Sequence, residues 1–142
     1  MPLAKANGIS LYYDDVGRGR PLVWAHGFAC GLRMWDPQKA ALADRHRLIG
    51  YDVRGHGASD VPELAEAYSQ PISVEDLRGL LRHLGISRAV VGGLSMGGNI
   101  VLNFALAFPD MVDGLIICDT GADSDNTEEW IANCEAWARL LD

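Results

Sequence analysis

Histidine stops early in this chain. His26, His46, His56 and His83 are the full set, and none follows residue 83. Cysteine is scarce: Cys30, Cys118 and Cys134 form no C-x-x-C pair, and an odd, widely spaced set builds no disulfide framework. Such usage suits reduced thiols in a cytosol-like (cytoplasmic) compartment, and each thiol is expected as a small core residue. Long apolar runs are missing. Nothing approaches the roughly 18 continuous apolar residues of a membrane span, and Met1 to Lys5 lacks the apolar run of a signal peptide. Positive charge is in deficit. The 12 Lys and Arg against 19 Asp and Glu leave a net charge of −7, which argues against a nucleic-acid partner and against an anionic membrane surface. There is no H-E-x-x-H and the histidines are scattered, so no metal site is expected; no organic cofactor is implied. Repeats, low-complexity tracts and linkers are absent as well.

What is present is a chain of 142 residues, 49% apolar, enough for one domain with a core of useful size. Leu3 to Ala6 and Ile9 to Asp15 read as a hairpin around Asn7-Gly8. Leu22 to Ala25, Arg47 to Val53 and Arg88 to Gly92 are short apolar runs of the kind buried on both faces of a sheet. Leu32 to Ala43 reads as a helix with Pro37 in its first turn. Ser73 is the expected cap of a second helix, with Asp76 completing a capping-box variant. Leu77, Leu80, Leu81 and Leu84 line one face of that helix, and Gly85 ends it. Asn99 to Phe108 is apolar nearly all round and reads as a buried helix closed by Pro109, and Val112 to Cys118 is a further strand. Thr127 caps a last helix carrying Trp130, Cys134, Trp137 and Leu141 at helical spacing. This order predicts an α/β fold, a three-layer sandwich with a mostly parallel sheet and helices on both faces.

One stretch organises the rest. Val90 to Asn99 contains Gly93-Leu94-Ser95-Met96-Gly97, a G-x-S-x-G pattern entered by a strand signal and left by a helix signal. A serine at a sharp strand-to-helix turn is held in a strained backbone. Glycines two positions either side keep the folded-back chain from colliding. The helix beginning there points its first N–H groups toward developing negative charge. A phosphate-binding loop at Gly92 to Gly98 is excluded, because no lysine follows the glycines.

Three motifs in order now carry a resemblance: His26-Gly27-Phe28, Asp52-Val53-Arg54-Gly55-His56-Gly57-Ala58-Ser59, and Gly93-Leu94-Ser95-Met96-Gly97-Gly98. Together they resemble the α/β-hydrolase fold superfamily, in its branch of small-molecule esterases, enol-lactone hydrolases, C–C hydrolases, epoxide hydrolases and haloalkane dehalogenases. The resemblance extends to about Thr120. It implies that Ser95 is the nucleophile, and that the backbone N–H groups of Phe28 and Met96 form the oxyanion hole. Gly27 lets the first loop approach the substrate carbonyl. Serine where epoxide hydrolases and dehalogenases would carry aspartate points to acyl substrates. His26 and His56 resemble structural positions that brace loops, and Asp52 and Asp60 are expected to hold the glycine-rich loop. His46 and His83 are expected at the surface, and Trp35 in packing.

The chain departs from the family pattern after Ser95. The family order is Ser, acid, His, and no histidine lies downstream here. Asp119, at the end of the last strand, is the candidate acid. The family sheet runs on for further strands, so Val112 to Cys118 is expected as an open edge, a pairing hazard. The chain therefore reads as a hydrolase core lacking its last strands (residues 1–126) followed by the first helix of a truncated cap (residues 127–142), or as an unusually minimal relative. The expected function is hydrolysis of small ester, lactone or related acyl substrates, impaired by the missing base. The alternative is a non-catalytic binding module that self-associates through the open edge or the last helix.

Overall fold

The computed structural model describes residues 2–121. The expected boundary at residue 126 and the helix from Thr127, with its tryptophan stripe, lie outside them. Strands β1 (Leu3–Ala6) and β2 (Ile9–Gly17) pair antiparallel. Asn7 and Gly8 between them have φ of 48° and 81°, the two positive values that let a tight turn follow the twist of the flanking strands. Strands β3 (Arg20–Ala25), β4 (His46–Tyr51), β5 (Ala89–Leu94) and β6 (Val112–Cys118) complete a six-stranded sheet in the order β1-β2-β4-β3-β5-β6. The pairs β4–β3, β3–β5 and β5–β6 are parallel, and β2 joins β4 antiparallel.

Alternation along the central strands explains why their sequences are apolar throughout. Val23 and Ala25 of β3, Ile49 of β4 and Val91 of β5 face one cluster. That cluster is closed by Leu77, Leu80 and Leu81 of α2 (Gln70–His83) and by Ile100, Val101 and Phe104 of α3 (Met96–Ala107). Leu22, Trp24 and Leu48 face the opposite cluster, with Trp35 and Leu42 from the turn and helix that cover that side. Side chains on a strand alternate between faces, so a sheet sandwiched by helices needs apolar residues at every position. This is the three-layer α/β arrangement expected from the order of elements.

Several local boundaries differ from expectation. The segment from Leu32 is a 3₁₀ turn (Leu32–Trp35) leading into a short helix α1 (Asp36–Leu42), with Pro37 in its first turn. Helix α2 starts earlier than Ser73. Ser69 is its cap, in extended conformation, with its hydroxyl accepting the Ile72 N–H at 3.4 Å. Pro71, which suits a first turn, was the stronger start signal, and Asp76 turns inward instead of capping. Helix α3 begins directly after Ser95, three residues before the expected start. The expectation that the thiols are core residues fails at Cys30, which is exposed, and Cys118 is half-buried. His46 is half-buried rather than at the surface, whereas His83 is exposed at the end of α2. Trp35 packs, its ring 4.7 Å from that of Trp24. The outer edge of β6 has no strand partner among the described residues, and Leu115, Ile116 and Ile117 on it are exposed.

Candidate active site

β5 ends at Leu94 and α3 begins at Met96, so the direction of the chain reverses at one residue. Ser95 has φ 52° and ψ −116°, a region that side chains other than glycine rarely adopt, and its side chain is exposed at the strand tip. The reversal brings the chain against itself. A Cβ at Gly93 would overlap the Gly97 carbonyl, and one at Gly97 would overlap the carbonyl of Ala25 at the end of β3. The two glycines of the pattern are thus required by close backbone approach. Met96 supplies an N–H in the first turn of α3, where the helix offers no acceptor of its own.

The second loop arrives from β3. Gly27 passes close enough that a Cβ there would stand 3.8 Å from Ser95 Cβ and 2.9 Å from Leu94 Cδ2. Phe28 and Ala29 occupy the corner of a turn closed by the Cys30 N–H donating to the Gly27 carbonyl at 3.1 Å, with Ala29 at φ 57°. Gly27, Phe28, Gly93, Ser95, Met96 and Gly97 are therefore gathered at the carboxyl ends of the parallel strands, where α/β proteins bind ligands.

The two motif histidines brace this loop. His26 is fully buried. Its Nε2 accepts the Val53 N–H at 2.9 Å, which leaves Nδ1 to donate to the Gly27 carbonyl at 2.7 Å. Both ring nitrogens are committed in a neutral tautomer. Burial lowers the pKa of His26 below its ordinary 6.5, outweighing the Gly27 bond, which pulls the other way. His56 sits with its ring 5.1 Å from that of His26 and 5.8 Å from that of Phe28. Its Nδ1 lies 3.1 Å from the Arg54 carbonyl, and its Nε2 accepts the Ala29 N–H at 3.4 Å.

The carboxylates hold loops too. Asp52 is buried, taking the Leu32 N–H on Oδ1 at 2.7 Å and the Ala58 N–H on Oδ2 at 2.9 Å. Asp60 accepts the Ser10 N–H at 2.8 Å. Arg54 ties the same loop to α2 through two 2.6 Å bonds to Asp76, both partners being buried, and a third 2.6 Å bond to the Ala67 carbonyl. The Arg54–Asp76 link had no sequence signal beyond Arg54 lying in a motif.

Asp119 is exposed at the end of β6, next to the elbow, with φ 44°. Its neighbour Cys118 accepts the Ser95 N–H at 3.0 Å. No imidazole joins the group: His26 and His56 are committed to backbone partners, His46 begins β4 at the opposite end of the sheet, and His83 ends α2.

A parallel sheet wrapped by helices, with a strained, exposed serine at the tip of a central strand and a glycine loop beside it, defines a class of α/β proteins. Residues 20–142 match the family model described as alpha/beta hydrolase fold, and the chain belongs to that family. It is 33% identical to 3-oxoadipate enol-lactonase 2 of Acinetobacter baylyi over 132 residues, which span 92% of this chain and 49% of that protein. It is 36% identical to epoxide hydrolase 3 of Xenopus tropicalis over 115 residues, 80% of this chain and 31% of that one. The solved thermophilic esterase of Thermogutta terrifontis superposes with a TM-score of 0.80 at 38% identity, covering 90% of this chain and 49% of the esterase. The chain thus spans half or less of the length of these relatives.

Proposed function

We propose that this chain is the nucleophile-bearing part of a serine hydrolase that cleaves small esters or lactones through an acyl-enzyme. The observation that carries the reading is the Ser95 backbone at φ 52° and ψ −116° with its side chain exposed. A hydroxyl held in strain at the tip of a strand is poised to attack, since such strain persists where function uses it. Ser95 Oγ attacks the carbonyl carbon and gives its proton to a base. The oxyanion that forms takes hydrogen bonds from the backbone N–H groups of Met96 and Phe28. The C–O bond to the leaving alkoxide then breaks, the alkoxide takes the proton, and water later releases the acid. One preorganised oxyanion donor is worth roughly 10²–10³ in turnover. The presence of a serine, together with the similarity to an enol-lactonase and an esterase, supports acyl over epoxide substrates. Asp119 is the candidate acid, and none of the four histidines of the chain stands at Ser95 as its base. Without a base, a serine hydrolase retains only roughly 10³–10⁴ over water.

The test is covalent labelling by an activated fluorophosphonate. Slow label on Ser95 in the native chain, at the residual rate left without a base, and its loss in Ser95→Ala are expected. Equal labelling of both proteins overturns the assignment. A second reading, a binding module that keeps the fold without chemistry, is favoured by the committed ring nitrogens of His26 and His56. It predicts no label on Ser95 even when the fold is intact by circular dichroism.

A further inference from the structure

We propose that Thr120 is a positioning residue for Ser95, clamping the serine peptide from just beyond the neighbouring strand; this rests on Ser95 being the nucleophile. A residue in a strained backbone keeps that conformation only when its surroundings over-determine it. The restraint on Ser95 comes from two directions. Within its own helix, the Ser95 carbonyl accepts the Asn99 N–H at 3.0 Å. Across the sheet, two residues hold both of its backbone polar groups: Cys118 at the end of β6 and Thr120 just beyond it. The Cys118 carbonyl accepts the Ser95 N–H at 3.0 Å. The Thr120 hydroxyl stands 3.2 Å from the Ser95 carbonyl and 2.9 Å from the Cys118 carbonyl. Its single proton is shared between the acceptor that is Ser95's own carbonyl and the acceptor that already binds Ser95's N–H.

Two further features fit a clamp. Asp119 takes φ 44°, and this left-handed step, which aspartate tolerates better than most residues, turns the chain so that Thr120 folds back over the elbow. Gly98 supplies the space, because a Cβ there would overlap the Thr120 hydroxyl. The second glycine of Gly97-Gly98 thus has a purpose that the five-residue pattern does not explain: it admits a side chain from the segment just after β6. Asp119 gains a reading as the turning residue, independent of any role as an acid.

The clamp acts on the direction of the Ser95–Met96 peptide, whose N–H is the proposed oxyanion donor. Loosening it therefore slows attack more than it weakens binding. The experiment compares Thr120→Val, which keeps shape and loses the hydroxyl, with Thr120→Ser, which keeps the hydroxyl, and with Ser95→Ala as control. Fluorophosphonate labelling separates the inactivation rate constant from reagent affinity, and amide hydrogen exchange is read at Ser95, Asn99 and Phe104. In Thr120→Val, the rate constant should fall roughly tenfold, the scale of one lost hydrogen bond, with reagent affinity little changed. Exchange at Ser95 and Asn99, whose N–H groups bond the Cys118 and Ser95 carbonyls, should rise while Phe104 stays protected, and Thr120→Ser should restore both. Native exchange at Ser95, or a native rate constant, in Thr120→Val overturns the proposal, as does exchange that rises equally at Phe104. Labelling of Ser95→Ala at the native rate overturns the nucleophile assignment instead, while the exchange measurement still decides whether Thr120 holds the elbow.

Discussion

Ser95 owes its exposure to neighbours that have no side chains to spare. Gly97 lies against the Ala25 carbonyl, so Gly97→Ala forces β3 and the elbow apart. Overpacking of this kind costs about 1–3 kcal/mol, to be read as a lower urea midpoint, and fluorophosphonate labelling should fall with it. His26 sets a pH limit. Burial lowers its folded-state pKa below the ordinary 6.5, so below that pH the unfolded chain binds more protons than the folded one. Stability then rises with pH through this window and is lost as pH falls through it. Urea midpoints measured from about pH 7 to about pH 5 should decline, and the decline should be shallower in His26→Gln.

At the scale of elements, the central strands were legible because burial on both faces writes a continuous apolar run into β3, β4 and β5. The serine turn was legible because backbone crowding leaves glycine as the residue that fits at positions 93 and 97. Helix α2 was misplaced at its start because Ser69 and Ser73 both suit a cap; Pro71 between them decides the matter. Long-range polar links were not legible. Arg54 and Asp76 stand 22 residues apart, and no local pattern announces that one loop side chain meets one helix side chain. Their pairing makes a testable claim. Arg54→Met leaves the buried Asp76 with Asn7 at 2.9 Å as its remaining side-chain partner, and breaking a buried pair from one side costs about 3–5 kcal/mol. The double variant Arg54→Met with Asp76→Leu should lose less, measured by urea denaturation. The opposite ranking would mean that the pair itself, rather than the stranded charge, carries the stability.

For the whole molecule, the sheet ends in the β1–β2 hairpin on one side and in β6 on the other among the described residues. Leu115, Ile116 and Ile117 are 39%, 36% and 40% exposed there, more apolar surface than an edge strand usually leaves bare. Pairing of copies through this edge would show in sedimentation velocity as an associated species that Ile117→Lys reduces, and an unchanged distribution would exclude this edge as a contact. The catalytic account itself stands on one atom. When the chain is incubated with an activated acetyl ester, digested and mapped by mass spectrometry, the account predicts one acetyl group on Ser95, absent from that position in Ser95→Ala. Acetylation confined to other residues, with Ser95 unmodified in a folded chain, would contradict it.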